Sequence, residues 1–237
     1  MPEKQLHVEL LAYTPDPEKT CALAARTCYS AMEYDQLKAL VDEKDQAAFL
    51  RRIVASGHLS VLEHASFTFG VSGVSRALLA QITRHRIASF SVQSQRYVSL
   101  EKGFGYIIPP RIKELGEDAV REFESQMAQM QAWYQGWQEK LGENANEDAR
   151  FVLPNACETH ITLTMNAREL LHFFSLRCCN RAQWEIRDLA TEMLRQCKQV
   201  APVIFESAGP GCVRGACPEG AKSCGQAAEV RNKFATL

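Results

Sequence analysis

The chain has 237 residues, 46% of them hydrophobic and 23% charged, as in ordinary soluble globular domains. Its 27 lysines and arginines nearly balance its 28 aspartates and glutamates, which argues against binding to nucleic acid or to an anionic membrane through overall charge. Residues 1–13 lack the apolar core of a signal peptide, and no apolar run approaches the roughly 20 residues of a transmembrane helix. We therefore expect a cytoplasmic protein.

Hydrophobic periodicity and turn residues divide the chain into elements. In chain order these are a strand over 6–13, a helix over 16–30, a helix over 45–57, a strand over 64–73, a helix over 75–85, a break at Pro109 and Pro110, a helix over 117–141, a strand over 158–166, a helix over 167–177 and a helix over 182–206 that bends or ends near Pro202. Strands and helices without strict alternation predict an α+β fold with a mixed sheet flanked by helices. Because no linker separates two halves, we expect one domain over 1–237, with 207–237 as a Cys- and Gly-rich tail.

The nine cysteines fall into two groups. Six lie in apolar or helical stretches and are interpreted as small packing residues: Cys21, Cys28, Cys157, Cys178, Cys179 and Cys197. The other three, Cys212, Cys217 and Cys224, lie among glycines and prolines. A zinc ion or iron-sulfur cluster, a redox-sensitive disulfide and inert thiols all remain open for them, but the spacing is not that of a CxxC knuckle, so we predict no metal.

The most unusual segment is residues 83–97, "TRHRIASFSVQSQRY". On a helical wheel, Gln81, Arg84 and His85 lie beside the apolar stripe of Val74 and Leu78, so we expect these polar heads to border the core. Basic residues that cap a helix C-terminus would explain the cluster without a ligand. The residues that follow add hydroxyls, amides and a guanidinium, which are donors suited to a phosphate or a heterocycle: Ser89, Ser91, Gln93, Ser94, Gln95 and Arg96.

A second segment, 165–179, carries polar side chains on an apolar helix. Leu170, Phe173 and Phe174 define its buried face, and Arg177 points the same way. Arg177 either pairs with a structural carboxylate or holds a charge in a pocket to bind an anion. Three more polar residues belong to this segment: Arg168 and His172, four residues apart and able to touch one ligand together, and Asn166, either a helix N-cap or a ligand.

Two further stretches are weaker signals. Residues 57–64 place His58, Ser60, Glu63 and His64 near a loop-to-strand junction, but the two histidines are not spaced as a zinc pair. Arg150 precedes an apolar turn and would, taken alone, be a surface arginine.

Together these segments resemble a known family. Arg84, His85 and Arg86, then seven residues and Ser94, match the RHR-x7-S signature of the flavin-dependent thymidylate synthases. Five further segments are similar to the family's, in the family's order, over most of residues 50–190: "HLSVLEHASFTF", "SRALLAQITRHR", "ARFVLPN", "MNARELLHFFSLR" and "AQWEIR".

The resemblance implies a homotetramer with an α+β fold that binds FAD and converts dUMP to dTMP. Methylenetetrahydrofolate would donate the one-carbon unit and NADPH would reduce the flavin, in active sites shared between subunits. The dUMP-binding residues implied are Gln81, Arg84, Ser94, Arg96, Arg150 and Arg177. The FAD-binding residues implied are Ser60, Arg84, His85, Arg86, Asn166, Arg168 and His172.

The resemblance also implies a mechanism. Arg177 matches the arginine that stabilises the ionised pyrimidine, and His58 matches a histidine near folate and flavin, so both are catalytic candidates. Cys178 and Cys179 need not be nucleophiles. Val92 departs from the family, since many members carry a polar residue there. Two alternatives are a nucleic-acid-binding module that stacks bases on Phe90 and Tyr97, and a flavin reductase without methyl transfer.

Overall fold

The computed structural model describes residues 1–237 and contains four strands and ten α-helices. The strands are β1 (His7–Tyr13), β2 (Ser66–Ser75), β3 (Ala88–Val92) and β4 (Glu158–Asn166). The helices are α1 (Pro17–Thr27), α2 (Tyr34–Glu43), α3 (Ala47–Ser56), α4 (Arg76–Ile82), α5 (Pro110–Glu114), α6 (Glu117–Leu141), α7 (Asn146–Ala149), α8 (Ala167–Arg177), α9 (Trp184–Val200) and α10 (Ala227–Ala235). Short 3₁₀ turns lie at Leu59–His64, Arg150–Val152, Gly211–Val213 and Gly220–Lys222.

The strands form one antiparallel sheet in the order β1-β2-β4-β3. The end of β1 meets the start of β2, where Thr14 N donates to Ser66 O at 3.0 Å. On the next pair the hydroxyls of Thr68 and Thr164 lie 2.9 Å apart. The α+β class is thus confirmed, and the prediction of a mixed sheet is wrong. Neighbouring strands run in opposite directions although helices connect them along the chain. The hydrophobic pattern along one strand does not show whether its neighbour is parallel or antiparallel.

Tertiary contacts divide the chain into two compact units. Unit 1 comprises 1–7, 70–84 and 90–162, and unit 2 comprises 8–69, 85–89 and 163–237. Unit 1 has a core of Phe104, Tyr106, Ile108, Met127 and Cys157. The single-domain prediction stays a prediction.

Unit 2 has an aromatic core of its own. The Phe205 ring meets the edge of Phe67 at 5.5 Å and of Phe174 at 5.9 Å between centroids. Such edge-to-face pairs are favoured by the charge distribution of the rings. They anchor α8, because Phe173 and Phe174 are both fully buried on it, as the sequence pattern predicts.

Most predicted elements are confirmed, several to the residue. The strand over 158–166 and the helices over 117–141 and 167–177 have the predicted bounds, and α9 ends before Pro202. Gly57 closes α3 with a φ of 79°, a conformation that favours glycine. The helix predicted over 75–85 is shorter, since it begins at Arg76 and ends at Ile82. Strand β3 and helices α2, α5, α7 and α10 have no counterpart in the prediction. No helix is long and apolar enough to cross a membrane.

Candidate functional site

His85 lies at the centre of a buried polar chain in unit 2. It follows α4 in sequence, and only 4% of its side chain is exposed. Its Nδ1 lies 2.8 Å from Oε1 of Glu169 on α8, and its Nε2 accepts a hydrogen bond from Nε of Arg177 at 3.1 Å. We call these three residues the Glu169–His85–Arg177 chain. It joins the first and last turns of α8 through the signature histidine.

The surroundings of His85 favour its neutral form. Burial lowers its pKa and the charge of Arg177 lowers it further, whereas the hydrogen bond that His85 makes to the carboxylate of Glu169 raises it. The His85 ring also packs edge-on against Phe173 at 4.9 Å and against His172 at 5.9 Å between centroids. A neutral imidazole has one donor and one acceptor nitrogen, which matches its two partners.

A cavity of about 510 Å³ lies beside this chain within unit 2. Its wall combines three basic side chains, two neutral polar ones, two carboxylates and three aliphatic ones: Arg168, His172, Arg214, Asn166, Ser175, Glu63, Glu169, Leu59, Ile87 and Leu171. Its volume is within the range of about 300 to 1,000 Å³ typical of ligand sites. The mixture suits a ligand with both anionic groups and a flat apolar ring.

Two predicted ligands at the start of α8 already have protein partners. Asn166 is the N-cap of α8, since its Oδ1 accepts from Glu169 N at 2.9 Å. This contact confirms the N-cap interpretation and leaves the amide nitrogen as the group Asn166 can offer a ligand. Arg168 donates to Glu63, and both side chains are about half exposed. An exposed pair of this kind is worth little, so an anion can replace Glu63 at low cost.

In unit 1 the structure brings two predicted arginines to one residue. Nη2 of Arg96 lies 2.9 Å from a carboxylate oxygen of Glu147, and Nε of Arg150 donates to the backbone oxygen of Glu147 at 3.0 Å. A third arginine, Arg76, is close enough to Arg150 for their charges to interact: burial lowers the pKa of Arg76, and the charge of Arg150 lowers it further. Unit 1 thus concentrates positive charge in one place.

The remaining predicted residues are exposed or half-buried. Arg84 and Arg86 are exposed, whereas Gln81 and Ser94 are half-buried. The expectation that Arg84 borders the core is wrong, because α4 ends at Ile82 and the helical wheel no longer applies beyond it. His58 and Ser60 are exposed at the 3₁₀ turn before β2.

The sites implied by the resemblance divide between the units. The dUMP set lies in unit 1 except for Arg177, and the FAD set lies in unit 2 except for Arg84.

Sequence reasoning missed three polar residues of these regions. Glu169 was recognisable, because Asn166 followed three residues later by an acidic residue is a helix N-terminal pattern. Arg214 comes from the tail, and no local signal connects it to α8. Arg76 begins α4 and donates to Gln93 O at 3.2 Å, a contact that only the sheet creates.

All nine cysteines are free thiols. Cys21, Cys157, Cys178 and Cys197 are buried, in line with packing, and burial raises the pKa of Cys178 to about 12. The packing interpretation is wrong for Cys28, which is exposed at the end of α1 and donates to Ala24 O. In the tail, Cys212 is buried and Cys224 exposed. No group of three His, Cys, Asp or Glu side chains in residues 1–237 is arranged to hold a metal ion.

Comparisons with known proteins agree with one another. Residues 9–203 match the family model described as "Thymidylate synthase complementing protein". The flavin-dependent thymidylate synthase of Geobacter sulfurreducens is 54% identical over 231 residues, 97% of this chain and 98% of that protein. The enzyme of the same name from Clostridium tetani is 49% identical, covering 96% of each chain.

Solved structures share the fold. Thymidylate synthase X from Helicobacter pylori, solved with FAD and dUMP, has a TM-score of 0.63 and 27% identity, over 85% of this chain and 98% of that one. The UMP/dUMP methylase PolB from Streptomyces cacaoi, bound with 5-Br dUMP, has a TM-score of 0.72 and 25% identity, over 86% and 94%. Fold and relatives define the class as flavin-dependent, methyl-transferring enzymes. Within that class, the chain belongs to the flavin-dependent thymidylate synthase family.

Proposed function

We propose that this enzyme converts dUMP to dTMP, with methylenetetrahydrofolate as one-carbon donor, NADPH as reductant and FAD as cofactor. The names of its relatives and the ligands of two structural neighbours support the proposal. The observation in this chain that carries it is the guanidinium of Arg177, whose Nε donates a hydrogen bond to Nε2 of the buried His85. Of the alternatives, only a methyl-transferring enzyme gives that half-buried cation a role in the reaction.

The residues of unit 2 fit FAD. Arg168 and His172 line the cavity and offer charge and donors to a diphosphate, and Leu59, Ile87 and Leu171 offer an apolar surface to a flat ring. Ser60, His85, Arg86 and Asn166 complete the proposed FAD set, with Arg84 from unit 1. When bound, FAD supplies hydride transfer to the pyrimidine carbon.

Arg177 is proposed to stabilise the ionised uracil. Carbon 5 of uracil is a weak nucleophile, and removing the proton from the ring places negative charge on its oxygens. A guanidinium already oriented by the protein stabilises that charge without reorganising in the transition state. Charge-assisted hydrogen bonds of this kind contribute about 1.5 to 3 kcal/mol each, which corresponds to roughly one to two powers of ten in rate. Cys178 has a pKa raised by burial to about 12, which makes it a poor nucleophile.

The arginines of unit 1 are proposed to bind the nucleotide. Arg96 and Arg150, gathered at Glu147, offer a fork and a second charge to the phosphate. Gln81, Ser94 and Arg84 are proposed to contact dUMP as well, with some residues contributed by neighbouring subunits of a homotetramer. His58 is proposed to contact folate near the flavin. Light scattering of the purified protein tests the tetramer directly.

Tritium release from dUMP labelled at carbon 5 tests the reaction. We expect a yellow protein with flavin absorption that releases tritium only when folate and NADPH are present. Arg177→Ala should abolish dTMP formation while flavin stays bound, and Arg195→Ala, an exposed arginine of α9, is the matched control.

Three results would each contradict the proposal. A colourless protein that does not take up FAD would contradict FAD as the cofactor. Unchanged turnover in Arg177→Ala would contradict the role proposed for Arg177. NADPH oxidation without tritium release would instead identify a flavin reductase.

A further inference from the structure

Glu169 is a buried carboxylate on the wall of the unit 2 cavity, and it is not among the proposed FAD contacts. Only 8% of its side chain is exposed. Burying a carboxylate costs several kcal/mol unless it is paired, so a position of this kind needs compensation. The first turn of α8 supplies part of it, because the positive end of the helix dipole lies there. The only side-chain hydrogen bond found for its carboxylate is with Nδ1 of His85.

That contact determines which nitrogen of His85 carries the proton. An ionised carboxylate only accepts hydrogen bonds, so Nδ1 must be the donor. In a neutral imidazole, Nε2 is then an acceptor, and it faces a group that only donates, Nε of Arg177, at 3.1 Å. In the other tautomer, or in the imidazolium ion, an N–H of His85 would face an N–H of Arg177.

We propose that Glu169 is a positioning residue: by holding His85 in the Nδ1–H tautomer, it makes Nε2 the acceptor that orients the Arg177 guanidinium. The inference rests on the proposed function of Arg177. Glu169 itself takes no part in the chemistry, and its influence reaches the substrate through His85. A carboxylate that orients an imidazole, which in turn orients a reactive group, is a recurring arrangement in enzymes.

The chemistry of the contact also explains why a neutral side chain would not substitute for Glu169. Phe173 packs edge-on against the His85 ring, which restricts its rotation. A glutamine amide can present either its oxygen or its nitrogen to Nδ1, so it no longer selects one tautomer. Part of the population then loses the contact with Arg177. The loss should resemble that of partners behind metal ligands, about 10- to 100-fold in activity.

The first test needs neither ligand nor turnover. In protein labelled with ¹⁵N-histidine, the two ring nitrogens of His85, assigned by comparison with His85→Gln, report the tautomer directly. We expect the Nδ1–H form alone in the unmodified protein at neutral pH, and a mixture or the Nε2–H form in Glu169→Gln. An Nε2–H tautomer or an imidazolium in the unmodified protein overturns the inference, even if no Glu169 variant folds.

The second test separates positioning from general destabilisation. Glu18→Gln is the control, because Glu18 is a half-buried carboxylate in the first turn of another unit 2 helix, where it accepts from Val203 N at 2.6 Å. Glu169→Gln should lower kcat about 10- to 100-fold with the KM for folate and the bound flavin little changed. Glu18→Gln should change stability but neither kcat nor the His85 signals.

A double-mutant cycle on the dUMP dissociation constant tests whether the effect passes through Arg177. In the Arg177→Ala background, Glu169→Gln should add little to the loss of affinity, whereas independent residues would give additive losses. Additive losses, or an unchanged kcat in Glu169→Gln, overturn the inference. If the unmodified protein makes no dTMP but shows the Glu169-dependent tautomer, the proposed function fails and the positioning of Arg177 stands.

Discussion

The basic residues of the two units are held in opposite ways. In unit 2, Arg177 donates to a histidine that is itself buried and bonded to a buried carboxylate. In unit 1, Arg96 reaches Glu147 with both side chains about half exposed, at 46% and 53%. A buried network fixes its geometry before a ligand arrives, because breaking it leaves polar groups without water. An exposed ion pair exchanges partners at little cost. The contrast suits a catalytic cation in unit 2 and an adjustable phosphate site in unit 1.

Phe173→Ala should lower the free energy of unfolding more than any other change considered, because it disturbs the buried network of unit 2. Phe173 is fully buried on α8 and packs on the His85 ring. Replacing a buried phenylalanine by alanine costs about 3 to 5 kcal/mol, from lost burial and the cavity left behind. Phe151→Ala is the control, because Phe151 of unit 1 is 80% exposed and its loss should stay within about 0.5 kcal/mol. Urea unfolding measures both, and similar losses would refute the packing assigned to α8.

Arg96→Ala should test the exposed side by ligand affinity. If Arg96 binds the dUMP phosphate, its removal should weaken dUMP binding by about 1.5 to 3 kcal/mol, roughly 10- to 100-fold. Stability should hardly change, since the side chain is nearly half exposed. Titration calorimetry with dUMP provides the measurement, and Arg111→Ala, another exposed arginine of unit 1, is the control. Equal affinities for the two variants would remove Arg96 from the site.

The same contrast separates what sequence could predict from what it could not. Strand β4 and helices α6 and α8 follow from periodicity and caps, because their signals lie within each segment. The burial of Phe173 and Phe174 follows from the same pattern. The C-terminal end of α4 does not follow from the sequence, because the pattern of Arg84 and His85 continues that of the helix although the helix ends at Ile82.

The remaining features that the sequence could not predict are contacts between distant segments. The signature of residues 84–94 and the polar helix 165–179 each indicate a site, and the resemblance joins them to one ligand set. The hydrogen bonds of His85 with Glu169 and Arg177 span 84 and 92 residues. Pairings of that length depend on tertiary packing, which local propensities do not contain.

A fall in pH should lower the stability of the protein through the buried His85. The pKa of His85 is below its ordinary value of 6.5 in the folded protein, so the unfolded state takes up a proton first as the pH falls. The contribution of neutral His85 to the free energy of unfolding is therefore fully present above pH 6.5. It declines as the pH falls from 6.5 toward the pKa of His85 in the folded protein. The groups that face the imidazole are Glu169, Arg177 and His172.

Urea unfolding across this pH range measures the decline. His85→Gln should lose this part of the pH dependence, whereas removal of the exposed His64 should retain it. A decline of the same size in His85→Gln would show that another group is responsible.

Glu147→Gln should have the smallest effect on stability. It tests most directly whether the exposed ion pair with Arg96 competes with dUMP. Removing the carboxylate deletes an ion pair worth about 0 to 1 kcal/mol, so stability should barely change. The same change removes a competitor for Arg96 while Arg150 keeps its contact with the backbone oxygen of residue 147. We therefore expect dUMP to bind up to about fivefold more tightly, with a gain that shrinks as salt screens the charges. Weaker binding in Glu147→Gln would mean that Glu147 holds Arg96 in its binding geometry, and that the proposed phosphate site of unit 1 is built as rigidly as the chain around His85.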